Sequence, residues 1–206
     1  MRRNVAESRL GVLGGTFDPV HLGHLIIAEY VREKLSLAKV LFVPAGQPWV
    51  KEGIQISPGE HRLEMVRLAT ASNPNFEVST IDLERPGPTY SVDTILGLKE
   101  RLGAGTRLHF IVGFDALAGL ASWKEPGRLL EICQVVGVRR PGHEELDWRS
   151  LEAAVPKASQ RIMVVDAPLI DISATDIRMR VARGLSIRYL VPDAVESYIA
   201  QHRLYV

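Results

Sequence analysis

Apolar residues along this chain fall into two alternating rhythms. Short continuous runs occur at Leu10–Leu13, Val40–Val43, Phe76–Ile81, Leu108–Val112, Gln134–Val138 and Ile162–Val165. Runs of this length closed by glycine, proline or charge predict strands buried on both faces. Between them the spacing turns helical. Leu25, Ile26, Ala28, Val31 and Leu35 share one face over Leu25–Leu35. Leu63, Val66, Leu68 and Ala69 do the same over Pro58–Ala71, behind Ser57 as an expected N-cap with Glu60 three residues on. A helix over Ser91–Leu102 follows the Arg85-Pro86-Gly87-Pro88 turn, a short helix precedes Gln134, and two more close the chain near Ser173–Arg183 and Asp193–His202.

Strand and helix in repeated alternation imply parallel pairing through right-handed crossovers. The expected fold is therefore α/β: an open, mostly parallel, doubly wound sheet with helices on both faces. In such sheets ligands bind beyond the carboxyl ends of the strands, where strand order reverses. The stretches 45–57 and 142–160 carry no readable period. There is no internal repeat, low-complexity tract or linker, so one domain is expected over residues 1–206, with residues 1–8 frayed.

Composition narrows the chemistry. A hydrophobic share of 46% with 24% charged residues is ordinary for a soluble globular protein. The formal net charge of +1 gives no support for nucleic-acid binding through bulk charge, so any phosphate recognition must be local. The single cysteine, Cys133, excludes a disulfide framework or a Cys-rich zinc site within these residues and fits a reducing compartment. Lying in an apolar, strand-like run, it is expected to be a buried hydrophobe. Met1-Arg2-Arg3 begins like a signal peptide, but Glu7 and Arg9 interrupt the apolar segment it would need. No apolar run approaches a membrane span. The expectation is a cytoplasmic protein with no membrane partner.

The chemistry concentrates in Leu13-Gly14-Gly15-Thr16-Phe17-Asp18-Pro19-Val20-His21-Leu22-Gly23-His24. Glycines end the first strand and two histidines flank a glycine where a helix should begin. The spacing does not match the dinucleotide fingerprint, and no Gly-x-x-x-x-Gly-Lys-[Ser/Thr] occurs. What remains is a small-residue turn whose N–H groups can approach an anion. His21 and His24, one helical turn apart, should face the same way at a helix N-terminus, where the dipole favours phosphate. Gly23 between them is expected to let the ligand come close. A second donor-rich helix start lies at Asp171-Ile172-Ser173-Ala174-Thr175-Asp176-Ile177-Arg178, with Ser173 as N-cap and Asp176 completing a cap-like pairing. The Arg178 guanidinium can grip two phosphate oxygens at once. Two such starts suggest a polyphosphate held between them.

The Gly-Gly-x-Phe-Asp-Pro-x-His-x-Gly-His run, with Ile-Ser-x-Thr-x-Ile-Arg downstream, resembles the nucleotidyltransferase superfamily marked by an H-x-G-H motif. Within it the chain is most similar to the bacterial nicotinate-nucleotide adenylyltransferases. The likeness extends to Phe42–Pro48, His61–Met65, Arg85–Ser91, Ser122–Lys124, Arg139–Gly142 and Ile187–Pro192, covering residue 9 to the C-terminus. The resemblance implies a Rossmann-like fold of nucleotidyltransferase type and a reaction: ATP plus nicotinate mononucleotide gives deamido-NAD and pyrophosphate, a step of NAD biosynthesis. The attacking phosphate is already ionised at neutral pH, so no general base is required. By carry-over, His21, His24 and Arg178 are the catalytic candidates, with His24 foremost. Gly14, Gly15, Thr16 and Phe17, together with Ser173, Thr175 and Arg178, would bind ATP. Mg²⁺ would arrive with ATP, there being no dense carboxylate cluster to cage it.

On the acceptor side the resemblance assigns Trp123 to stack on the pyridine ring, Thr89, Tyr90 and Ser91 to offer donors, Asp115 to a ribose hydroxyl and Lys51 to the acceptor phosphate. Two positions depart from the pattern. Pro48-Trp49-Val50-Lys51 stands where Pro-Pro-His-Lys is usual, and Phe114 replaces a small residue. The remaining histidines, His61, His109, His143 and His202, read as scattered and as structural or solvated rather than functional. Other readings keep the fold and change the use: nicotinamide mononucleotide or phosphopantetheine as acceptor, or a nucleotide sensor without catalysis.

Overall fold

The computed structural model describes residues 8–48, 56–103, 105–139, 146–168 and 170–206. In chain order its first elements are β1 (Ser8–Gly15), α1 (Leu22–Lys34), β2 (Lys39–Pro44), β3 (Gln47–Pro48), α2 (Gly59–Thr70), β4 (Phe76–Val78) and α3 (Ile81–Glu84). Then come β5 (Pro88–Thr89), α4 (Ser91–Leu102), β6 (Thr106–Gly113), α5 (Phe114–Ala118), α6 (Pro126–Ile132) and β7 (Gln134–Arg139). The last are α7 (Trp148–Ala154), α8 (Ala158–Arg161), β8 (Ile162–Asp166), α9 (Ala174–Ala182) and α10 (Asp193–Gln201).

The apolar runs form one sheet in the order β4-β2-β1-β6-β7-β8, and every pairing in it is parallel. From β1 the chain winds outward through β2 to β4, then returns to lay β6 on the other side of β1. Strand order reverses there, so the β1 and β6 carboxyl ends bound the crevice that this topology reserves for ligands. Side chains alternate across the sheet with the strand period of two. Leu13, Val40, Phe42, Ile111, Val136 and Val138 pack on one face against Val31, Met65, Ile177 and Ile199 of α1, α2, α9 and α10. Val12, Leu41, Val43, Leu108, Phe110 and Val135 pack on the other against Ile95, Leu117, Leu129, Leu151 and Ala158 of α4 to α8. Among the described residues no helix is long and apolar enough to cross a membrane.

Several expectations change in detail. The strand expected over Phe76–Ile81 stops at Val78, and Ile81 begins α3. β2 feeds β4 from alternate residues, with the Val40 N–H donating to the Asn75 carbonyl. The Ser79 N–H still donates to the Phe42 carbonyl, but two donors on from Val40 the series reaches Pro44, which has no N–H. The N-cap of α2 is Pro58 rather than Ser57, whose own N–H donates instead to Asp18 Oδ2 at 3.2 Å. The buried stripe of α2 is Arg62, Met65, Val66 and Ala69, with Leu63 and Leu68 at its margins. Within 142–160 lie α7 and the start of α8, and β3 with β5 makes a separate two-stranded patch.

Cys133 is not in a strand. It ends α6, half-buried, with Sγ–H donating to the Leu129 carbonyl at 3.4 Å. Burial pushes its thiol from 9.0 up to about 12. A raised native pKa favours folding below the unfolded value and loses that contribution as pH climbs through the native one. We therefore expect the urea midpoint of the wild type to fall more steeply than that of Cys133→Ala between about pH 9 and pH 11. Parallel pH profiles would contradict the assignment.

Candidate active site

The sequence ends β1 in glycines and starts α1 three residues after the Asp18–Pro19 bond, which is cis. His21 is the N-cap of α1 and His24 its third residue, and they close a reciprocal capping box. The His21 N–H donates to His24 Nδ1 at 3.2 Å, while the His24 N–H donates to the His21 carbonyl at 3.0 Å. The rings stack at 3.7 Å between centroids. Phe17, whose backbone lies in the left-handed region at φ 50°, sets its ring edge-on to His24 at 5.0 Å.

The two histidines thus face the same way but do different work. His21 is 7% exposed and lies beneath its partner, whereas His24 lines a pocket. Because Nδ1 of His24 accepts a backbone hydrogen bond, the proton of the neutral ring resides on Nε2. The imidazole is held as a donor. Gly23 serves this packing: a Cβ there would sit 3.0 Å from His21 Nδ1. The space expected for a ligand belongs to the His21 ring.

The pocket has a volume of about 400 Å³ and lies at the crevice between β1 and β6. Gly14, Gly15, Thr16 and His24 form one end of its lining, and Thr89, Ser91 and Trp123 contribute from the β5–α4 and α5–α6 connections. Trp123 is half-buried, its ring edge-on to Phe110 at 6.2 Å. Thr89 Oγ1 accepts from the N–H groups of Gly46 at 3.0 Å and Gln47 at 3.2 Å. Both acceptor positions of that hydroxyl are then taken, so its own proton is left to donate.

Other expected residues lie outside the lining. Phe17 and His21 support it from behind. Tyr90 caps α4 and its ring carries Lys124 Nζ at 4.9 Å, and Asp115 is exposed in the first turn of α5. Successive residues around Ser91 and Phe114 point in different directions, which separates them from their pocket-lining neighbours. Ser173 caps α9 as expected, its Oγ accepting from the Asp176 N–H at 3.0 Å. Thr175 is exposed and bonds Arg178 Nη2 at 3.3 Å. Arg178 Nη1 donates to the Asp18 carbonyl at 2.8 Å, tying the second motif to the first. Lys51, Trp49 and Val50 lie outside the described residues, as does His143.

Several residues around the site escape the pattern of the sequence. Asp18 is 4% exposed; its Oδ1 accepts from Tyr205 O–H at 2.7 Å and its Oδ2 from the Ser57 N–H. Burial and that carboxylate push the Tyr205 phenol far above its ordinary value. Asp82, a pocket-lining carboxylate, accepts from Thr94 Oγ1 at 2.8 Å and Arg85 Nη2 at 2.9 Å. Burial raises its pKa while these two donors oppose the rise. His61 and His202 are not scattered: they meet around Tyr198, with His61 Nδ1 2.9 Å from Tyr198 Oη. The motif around Asp18-Pro19 and the His61-Arg62 pair were visible in the sequence, but not their partners.

Parallel sheet, reversal crevice and paired histidines define a nucleotide-handling α/β class. The sequence profile of the Cytidylyltransferase-like family matches residues 12–180. A probable nicotinate-nucleotide adenylyltransferase of Thermomicrobium roseum is 50% identical over 198 residues, covering 96% of this chain and 92% of that relative. One from Roseiflexus sp. is 47% identical over 201 residues, covering 98% and 100%. The chain belongs to the Cytidylyltransferase-like family and, within it, to the nicotinate-nucleotide adenylyltransferases. The fold agrees with that of the Plasmodium falciparum nicotinic acid mononucleotide adenylyltransferase complexed with NaAD, at a TM-score of 0.76 and 20% identity over 96% of this chain and 97% of that one.

Proposed function

We propose that this chain, as a single cytoplasmic domain, transfers the adenylyl group of ATP to nicotinate mononucleotide, releasing pyrophosphate and forming deamido-NAD for NAD biosynthesis. The observation that carries this reading is the one pocket joining Gly14–Thr16 and His24 to Thr89, Ser91 and Trp123. ATP occupies the first end. The acceptor occupies the second, its pyridine ring on Trp123 and its carboxylate toward the Thr89 hydroxyl. Ser173, Thr175 and Arg178 serve the β- and γ-phosphates, with Arg178 also anchoring the Asp18 loop. Lys51, Tyr90 and Asp115 belong to the acceptor side by resemblance.

The acceptor phosphate attacks the α-phosphorus, the new P–O bond forms and the bond to pyrophosphate breaks. The work of the chain is alignment and neutralisation of charge. His24 Nε2 donates toward the reacting phosphates, His21 holds its ring, and Phe17 props its edge. On this reading Mg²⁺ is carried in on the ATP phosphates. A side-by-side rate comparison of nicotinate and nicotinamide mononucleotides with Mg²⁺ and ATP tests the proposal. Pyrophosphate release should be faster with nicotinate by about tenfold or more, the size expected for one lost donor contact to a charged group. Equal rates would reassign the acceptor, and no release with either would leave a nucleotide-binding protein without this activity.

A further inference from the structure

Arg62 is a charged residue in the apolar stripe of α2, and it is only 2% exposed. Among the described residues no carboxylate pairs with it directly; Asp18 acts on it through space. Its guanidinium instead meets four backbone carbonyls. Nε donates to Ser57 at 2.9 Å, Nη1 to Thr16 at 2.8 Å and to Ala45 at 2.7 Å, and Nη2 to Gly46 at 3.2 Å. Burying such a charge without a salt bridge is costly, so the carbonyls must be well placed. They come from three separate connections: the loop after β1, the segment after β2 and the turn before α2.

Two of these peptides reach the pocket by their other edge. In a trans peptide the C=O and the following N–H point in opposite directions. With the Ala45 and Gly46 carbonyls turned to Arg62, the N–H groups of Gly46 and Gln47 turn the other way, where both donate to Thr89 Oγ1. Gly46 also has no room for a side chain, which would run into the Asp82 carbonyl. A third peptide, at Thr16, lies in the ATP end of the pocket.

We propose that Arg62 is a positioning residue that couples the two ends of the pocket: one rigid guanidinium orients the Thr16 peptide toward the nucleotide and, through the Ala45 and Gly46 peptides, fixes Thr89 Oγ1 as a donor to the acceptor. A lysine cannot reproduce this, since an ammonium lacks the planar fork that meets four carbonyls in fixed directions. The inference rests on the adenylyl-transfer reading.

The test is a double-mutant cycle on steady-state kinetics. Arg62→Lys should raise the KM for nicotinate mononucleotide about tenfold, and so should Thr89→Val, the scale of one hydrogen bond to a charged group. Because both act through the same oxygen, the double variant should stay near about tenfold rather than reach about a hundredfold. The KM for ATP should rise equally with Arg62→Lys in either background. Multiplying acceptor effects, or an Arg62→Lys variant with lowered melting temperature and unchanged KM values, overturns the proposal. Should Arg62→Lys fail to fold, the wild type still decides. The buried Arg62 Nη–H resonances should shift on adding ATP and again on adding nicotinate mononucleotide, and silence to either overturns it. A wild type inactive with nicotinate mononucleotide overturns the functional reading and this inference together. An active wild type with a multiplying cycle removes this inference alone.

Discussion

His24→Ala is expected to lower turnover by about a hundredfold to a thousandfold, the range seen when one preorganised donor to a developing negative charge is removed. The structure gives the reason for placing this effect on His24 rather than His21. His24 lines the pocket, and its Nδ1 is committed to the His21 N–H. Its other nitrogen therefore carries the proton. The change also removes half of a capping box, which costs about 0.5–2 kcal/mol of stability. Turnover should thus fall far more than the melting temperature can explain. His24→Asn is the useful companion, since a short amide can restore a cap contact without reaching where Nε2 reaches. Single-turnover pyrophosphate release within about threefold of wild type, well inside the range expected for a lost donor, would remove His24 from catalysis.

Trp123→Ala is expected to weaken the acceptor by roughly tenfold to a hundredfold, since stacking of a base on an aromatic ring contributes about 1–3 kcal/mol. The KM for ATP should change little. Trp123 lines the pocket from between α5 and α6, is only half-buried against the second face of the core, and sets its ring edge-on to Phe110. Truncation consequently leaves the sheet packing largely intact while removing the ring surface. Trp123→Phe should recover part of the acceptor affinity. Equal losses for both substrates, or a loss matched by global destabilisation, would make Trp123 a packing residue.

What the sequence discloses and what it hides follow from how far each contact reaches along the chain. β1, β6 and β7 are buried on both faces, so their apolar runs stand out, and α1 and α4 show their period over several turns. α5 to α8 are short helices of at most seven residues. They are held by the face of the sheet they cover, which leaves no local rhythm. The capping pair His21–His24 is legible because its partners lie three residues apart. Arg62 looks like any solvated helix charge until its carbonyl partners, from Thr16 to Ser57, are folded around it. Thr89 shows its hydroxyl but not the two amides, over forty residues away, that turn it into a donor. Tyr90 and Asp115 stand beside pocket-lining residues in the chain but lie outside the lining themselves, Tyr90 with Lys124 over its ring and Asp115 exposed on α5.

The hydrogen bond from Tyr205 to Asp18 joins residues 187 positions apart. At a synthesis rate of about 5–20 residues per second, roughly 10–40 s pass between the addition of one and the other. Throughout that interval the nascent chain already carries the glycine turn and both histidines, but the carboxylate beside them lacks its phenol and the Arg178 anchor is also late to arrive. The ATP end therefore matures last although it is encoded first. Nucleotide binding can reward the finished fold by mass action, but it cannot guide the early stages of building it on the ribosome.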